Sequence, residues 1–109
     1  MEKSTILKQA TVLAKDFCKF VNASPSPHHA VENLRNMLRA SKFCEIKEND
    51  VWKLKDSGKY FLTRNNTSIV AFALGGKFDK TKNDFGFKVI GTHTDSPNLR
   101  LNPVSKLKS

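Results

Sequence analysis

The stretch that decides the fold reads Lys59-Tyr60-Phe61-Leu62-Thr63-Arg64-Asn65-Asn66-Thr67-Ser68-Ile69-Val70-Ala71-Phe72-Ala73-Leu74. Two runs that are rich in aromatic and β-branched residues flank Asn65-Asn66. Asn tolerates the left-handed backbone of a tight turn, so the pattern predicts a β-hairpin. Asp56-Ser57-Gly58 predicts a turn before the hairpin, and Gly75-Gly76 is expected to end its second strand.

Two amphipathic helices are predicted upstream of the hairpin. In residues 5–21, apolar residues recur at intervals of three and four, with Ser4 or Thr5 as the expected cap. Cys18 and Phe20 widen the apolar stripe, which predicts a helix covered on more than one side.

Pro25 and Pro27 interrupt the helical pattern and start a new one. Ser26 is the predicted N-cap of a second helix, with Pro27 at the first helical position, where its missing N–H costs nothing. This helix is expected to end near Ala40-Ser41. Its apolar stripe is Ala30, Val31, Leu34, Met37 and Leu38.

Further short strands are predicted at residues 43–46, 51–54 and 85–91, with an edge strand at Leu99 and Leu101. The order of helix, helix and strands predicts an α/β fold, or an α+β start, with the two N-terminal helices packed on a partial β-sheet. We expect residues 1–109 to form one unit, with a disordered tail at residues 105–109.

Composition narrows the possible classes of protein. The 109 residues are 39% hydrophobic and 27% charged, as in soluble globular proteins. No apolar stretch reaches the about 20 residues that cross a bilayer, and no signal peptide is recognisable, so we expect a cytoplasmic protein with no membrane partner. Cys18 and Cys44 are interpreted as reduced thiols. The net charge of +9 raises nucleic acid as a partner, but the basic residues are scattered and we expect none.

His93-Thr94-Asp95 is the strongest candidate site. An imidazole can bind a metal, and a carboxylate two residues later can hold the other ring nitrogen. The pair follows a predicted strand that ends in Gly91, and ligands gather at the carboxyl ends of strands in open α/β sheets. A zinc site needs at least three protein ligands, so these residues are interpreted as part of a metallohydrolase site.

The wider sequence around this pair resembles a known family. Ile90-Gly91-Thr92-His93-Thr94-Asp95-Ser96-Pro97-Asn98-Leu99-Arg100-Leu101 is similar to the first metal-ligand motif of the aspartyl aminopeptidases, which belong to the M18 group of zinc peptidases. Phe20-Val21-Asn22-Ala23-Ser24-Pro25-Ser26-Pro27-His28-His29-Ala30-Val31 resembles the family's N-terminal signature. Trp52 and residues 59–65 and 69–76 also fit, and the eukaryotic cytosolic branch fits best.

The resemblance implies a two-zinc exopeptidase that removes N-terminal Asp or Glu from peptides. His93 would be a zinc ligand, and Asp95 would be a catalytic residue that holds its imidazole. In the family the other ligands and the general base come later in the chain. The resemblance therefore implies an N-terminal part of a zinc-exopeptidase catalytic domain, homo-oligomeric at full length and inactive as a 109-residue chain.

His29 is the second candidate. It matches a His of the family's signature, which implies a role near the substrate, while its predicted helical position equally suits a capping and packing histidine. Two further functions stay open for the chain. One is a truncated assembly or binding module that is not an enzyme, and the weaker one is charge-driven binding to nucleic acid.

Overall fold

The structure, a computed structural model, describes residues 2–79, 81–82, 86–104 and 106. Two helices come first, α1 (Glu2–Asn22) and α2 (Pro27–Ala40). Three strands follow, β1 (Cys44–Glu45), β2 (Lys59–Arg64) and β3 (Ser68–Ala73). This order confirms the predicted α/β class, with two helices and a partial sheet.

The first helix is longer than predicted and less covered. It begins at Glu2, so Ser4 and Thr5 lie inside it and the predicted cap is wrong. Its apolar stripe is open to solvent, with Leu13 72% and Phe17 66% exposed. The prediction of a helix covered on more than one side is therefore wrong for the part of the chain that the structure describes, because no described element packs over this stripe.

The second helix begins as predicted. Ser26 has extended backbone angles (φ −142°, ψ 163°), and its hydroxyl oxygen accepts a hydrogen bond from the backbone N–H of His29. Pro27 occupies the first turn, where no N–H is needed. The helix ends at Ala40, and the N–H of Ser41 donates to the carbonyl of Met37 at 3.0 Å. Both bounds agree with the sequence pattern because capping is a local interaction.

The hairpin is confirmed. Strands β2 and β3 pair antiparallel from Lys59 opposite Ala73 to Arg64 opposite Ser68. Asn65 and Asn66 both have φ 53°, and the N–H of Thr67 closes the turn on the carbonyl of Arg64 at 3.2 Å. β1 pairs parallel with the other edge of β2, so the sheet order is β1-β2-β3.

A small core lies between α2 and the sheet. Phe61 is completely buried, Val31 is 1% exposed and Ala30 is also buried. Tyr60 is buried on the opposite face of β2, where its ring centroid lies 5.7 Å from that of Phe72. The hydroxyl oxygen of Tyr60 accepts the backbone N–H of Lys55 at 2.8 Å. A Cβ added to Gly58 would lie 2.7 Å from Cζ of Tyr60, so the turn at residues 56–58 needs a residue without a side chain there.

The four further predicted strands are absent or shortened among the described residues. Only Cys44 and Glu45 pair within residues 43–46. Residues 51–54 are not a strand. Instead the indole N–H of Trp52 donates to the carbonyl of Lys47 at 2.8 Å, and its ring stacks on Phe72 with 6.0 Å between centroids. The segment therefore covers the sheet with one aromatic ring and adds no backbone pairing.

The segment from residue 86 to residue 104 also differs from its prediction. Residues 86–91 and the predicted edge strand at Leu99 and Leu101 have no strand pairing. Ile90 is 97% exposed and both leucines are fully exposed. A strand needs a ladder of hydrogen bonds to a neighbouring backbone, and no such ladder is formed with this segment in the described chain. Phe85 and the predicted tail, except Lys106, lie outside the described residues. None of the described helices is long and apolar enough to span a membrane.

Candidate metal centre

A hydrogen bond to the hairpin positions the His93-Thr94-Asp95 sequence beside the sheet. The hydroxyl of Thr94 donates to the backbone carbonyl of Thr67 at 2.7 Å, across 27 residues of sequence. Thr94 is half-buried, whereas the residues on either side of it are exposed. The candidate site thus lies next to the turn that joins β2 and β3.

The imidazole of His93 is held by Asp95 in two ways. Its Nδ1 lies 2.7 Å from the backbone carbonyl oxygen of Asp95 and 3.4 Å from the side-chain Oδ1. A carbonyl oxygen only accepts hydrogen bonds, so Nδ1 carries the proton in the neutral ring. Nε2 then keeps its lone pair, which is the form that binds a metal ion. The backbone carbonyl is closer than the carboxylate on which the sequence argument relied.

The donor set fits zinc but is incomplete. Histidines that bind zinc commonly do so through one ring nitrogen while the other ring N–H donates a hydrogen bond. The side chains of His93 and Asp95 are 78% and 69% exposed, so both are accessible. No group of three or more His, Cys, Asp and Glu side chains comes together among the residues that the structure describes. His93 thus stays a predicted ligand, with no cluster of further candidate ligands around it in the described part of the chain.

Two acidic residues outside the motif, Glu45 and Glu48, form ion pairs with arginine side chains. The carboxylate of Glu45 accepts hydrogen bonds from Arg35 at 2.8 Å and Arg39 at 2.7 Å. Burial raises the pKa of Glu45, but the hydrogen bonds and charges of the two guanidinium groups outweigh it, so the pKa is lowered. The carboxylate of Glu48 pairs with Arg64, whose hydrogen bond lowers its pKa. Neither pair can be predicted from the sequence pattern, because the partners are 6 to 16 residues away along the chain.

His29 lies at the start of α2 and contacts its cap. Its Nδ1 is 2.7 Å from the hydroxyl oxygen of Ser26, and its backbone N–H donates to the same oxygen at 3.4 Å. His29 is exposed. These contacts fit the capping interpretation and leave the substrate-binding interpretation as a prediction.

A concave region lies away from these candidates. It is an open cleft of about 790 Å³. Apolar and basic side chains line it together, including Trp52, Lys53, Leu74, Lys77 and Phe78. Neither His93 nor His29 is among the lining residues. The candidate metal centre is thus an exposed motif outside this cleft.

Comparison with known proteins agrees with the sequence motifs. The chain is 42% identical over 103 residues to an aspartyl aminopeptidase of Dictyostelium discoideum, covering 94% of this chain and 21% of that protein. It is 46% identical to a chain in a cryo-EM structure of the Ape4 and Nbr1 complex, with a TM-score of 0.80, covering 87% of this chain and 18% of the other. A structure of a Saccharomyces mApe1 dodecamer matches at 29% identity and a TM-score of 0.56, covering 61% and 16%.

The chain spans about a fifth of the length of the curated relatives that it matches. The match to the family described as aminopeptidase I zinc metalloprotease (M18) extends over residues 20–109 and so includes both predicted motifs. This chain belongs to the M18 family of zinc metalloproteases.

Proposed function

We propose that this chain is the N-terminal portion of the catalytic domain of a zinc aminopeptidase that removes N-terminal Asp or Glu residues from peptides. One observation carries the proposal. The ring nitrogen Nδ1 of His93 is hydrogen-bonded to the backbone carbonyl oxygen of Asp95 at 2.7 Å, which leaves Nε2 for a metal. Relatives of the same family that carry the name aspartyl aminopeptidase support the substrate class.

Each residue of the motif has a distinct role in this proposal. His93 holds zinc through Nε2, and Asp95 keeps its ring in the required tautomer and orientation. When bound, zinc lowers the pKa of a water molecule and polarises the scissile carbonyl. The remaining ligands of two zinc ions and the general base belong to protein that this chain does not contain. The 109-residue chain alone is therefore expected to be inactive.

His29 is proposed to lie near the substrate. It is exposed, and its neutral ring can donate or accept a hydrogen bond. The contact of Nδ1 with Ser26 at 2.7 Å restrains the ring at the start of α2, which would orient the other nitrogen.

An exchange experiment tests the proposal. The matching N-terminal part of the Dictyostelium aspartyl aminopeptidase is replaced by this chain, and release of free Asp, Glu and Leu from short peptides is measured. We expect the chimera to cleave the Asp and Glu peptides in preference to the Leu peptide. His93→Ala should lower the rate at least about 100-fold, and Asp95→Asn about 10- to 100-fold.

Two controls make the exchange decisive. His28→Ala changes an exposed neighbour of His29 and should leave the rate unchanged, whereas His29→Ala should raise KM. The isolated 109-residue chain, supplied with zinc, manganese or cobalt, should release no Asp. Full activity of the His93→Ala chimera would overturn the proposal, as would turnover by the isolated chain.

A second candidate function is a homo-oligomeric assembly module that is not itself an enzyme. The exposed apolar stripe of α1 favours it, with Ile6, Leu13 and Phe17 each more than 60% exposed. A dodecamer is the state named for one structural relative. Light scattering coupled to size-exclusion chromatography distinguishes a discrete oligomer from a monomer. A monomer at all concentrations would exclude this candidate for the isolated chain. The cytoplasmic location and the absence of a nucleic-acid partner stay predictions.

A further inference from the structure

We propose that Thr94 is a positioning residue that fixes the imidazole of His93 by attaching the motif to the hairpin turn. The hydroxyl of Thr94 donates to the carbonyl of Thr67 at 2.7 Å. This contact restrains the backbone between His93 and Asp95. The metal-related part of this inference rests on the proposed function. The orientation of the ring does not, because it can be measured without metal.

The acceptor belongs to a well-defined turn. Asn65 and Asn66 both adopt left-handed backbone with φ 53°, and the N–H of Thr67 is bound to the carbonyl of Arg64 at 3.2 Å. Arg64 and Ser68 form the pair of the β2–β3 ladder that lies next to the turn. The carbonyl of Thr67 therefore has a direction that is set by the hairpin and not by the segment that it binds.

The position of Thr94 between the two members of the pair gives the contact its effect. The hydrogen bond from Nδ1 of His93 to the carbonyl of Asp95 encloses two peptide units, one on each side of Thr94. Holding the side chain of Thr94 restricts both units at once. Upstream packing offers little restraint, since Ile90 is 97% exposed and a Cβ added to Gly91 would meet no atom within 4 Å.

The consequence for His93 is a choice of tautomer. A freely exposed neutral imidazole mostly carries its proton on Nε2, the nitrogen that a metal would need. The contact with the carbonyl of Asp95 requires the proton on Nδ1 instead. By holding the backbone that makes this contact, Thr94 keeps Nε2 available.

The tautomer of His93 is measured by long-range ¹H–¹⁵N NMR on the metal-free chain, in alkaline solution where imidazole is neutral. We expect the unsubstituted chain to have its proton mainly on Nδ1. Thr94→Val and Thr94→Ala remove the hydroxyl and should move the proton mainly to Nε2. Thr94→Ser keeps a hydroxyl and should retain the original tautomer.

The chain offers a matched control. Thr92→Val is the same substitution two residues earlier, where the hydroxyl only reaches the adjacent carbonyl of His93 at 3.5 Å, and it should leave the tautomer unchanged. Amide signals of β2 and β3 in the same samples report whether the hairpin is intact. An unchanged tautomer in Thr94→Val and Thr94→Ala would overturn the inference. A Thr94→Ser chain that behaves like Thr94→Val would overturn it too.

The chimera of the exchange experiment separates this inference from the proposed function, because it supplies the ligands that this chain lacks. If the tautomer depends on Thr94 and Thr94→Val also weakens zinc binding by the chimera, both are supported. If the tautomer depends on Thr94 but His93→Ala leaves zinc binding by the chimera unchanged, the positioning role stands and the metal role of His93 fails.

Discussion

The hairpin of residues 59–73 and the segment of residues 86–101 both contain short apolar runs but have different structures. Both contain apolar and β-branched residues in short runs. In the hairpin, Phe61 is completely buried and every residue of β2 pairs with one of β3. In the later segment, Val89 is 83% and Ile90 97% exposed, and no strand forms.

The difference teaches that an apolar run becomes a strand only where its own surroundings supply a partner. The hairpin supplies its partner locally, because the turn at Asn65 and Asn66 brings the two runs together. No turn among the described residues brings a partner run to residues 86–91, so pairing and burial of this segment depend on residues that are distant in sequence. What fixes this segment at one point is a tertiary contact, the hydrogen bond from Thr94 to the hairpin turn.

The largest change in stability is expected when a buried ring is removed from the hairpin, compared with removal of an exposed side chain from the later segment. Phe61→Ala should lower the free energy of unfolding by about 3–5 kcal/mol, because it empties part of a small core. Ile90→Ala should change it by less than about 0.5 kcal/mol. Urea titrations followed by circular dichroism measure both. A large loss from Ile90→Ala would show that the later segment is packed after all.

A second test concerns two glycines that flank the hairpin. Gly58→Ala should destabilise the chain by about 1–3 kcal/mol, since the added Cβ overlaps the buried ring of Tyr60. Gly75→Ala is the control, because its Cβ would meet no atom within 4 Å. The two urea midpoints are compared directly. Equal midpoints would mean that the ring of Tyr60 moves aside at little cost.

The smallest effect is expected from the ion pairs that join β1 to α2. The pKa of Glu45 is lowered from its ordinary 4.5, so its contribution is complete above that value and is lost as the pH falls through the folded pKa. Glu45→Gln should therefore cost about 1 kcal/mol near neutral pH and nothing in acid, after allowance for partial exposure.

Unfolding titrations at both pH values measure this difference. Asp16→Asn is the control, because Asp16 and its partner Lys19 are 63% and 79% exposed and the pair should contribute nothing measurable. A Glu45→Gln chain that is as stable as the unsubstituted chain near neutral pH would remove Glu45 from the interactions that hold the folded region.

Much of the local structure could be predicted, and the failures share a cause. The cap at Ser26, the end of α2 and the hairpin turn were predicted because each depends on neighbours within a few residues. The helix start at Glu2 was missed because a pattern of apolar residues does not mark the first turn. The strand predicted at residues 51–54 and the described part of the one predicted at residues 85–91 did not form, because pairing depends on what lies beside them.

The candidate site divides in the same way. The sequence by itself determined the family and the His93-Thr94-Asp95 motif, because residue type and spacing carry the chemistry of a possible ligand. Only the tertiary structure decided that the carbonyl of Asp95 is the nearer partner of Nδ1, and that Thr94 attaches the motif to the turn at Thr67. The physical reason is range: capping and turn formation are local, whereas burial, strand pairing and the Thr94 contact require residues that the chain brings together only on folding.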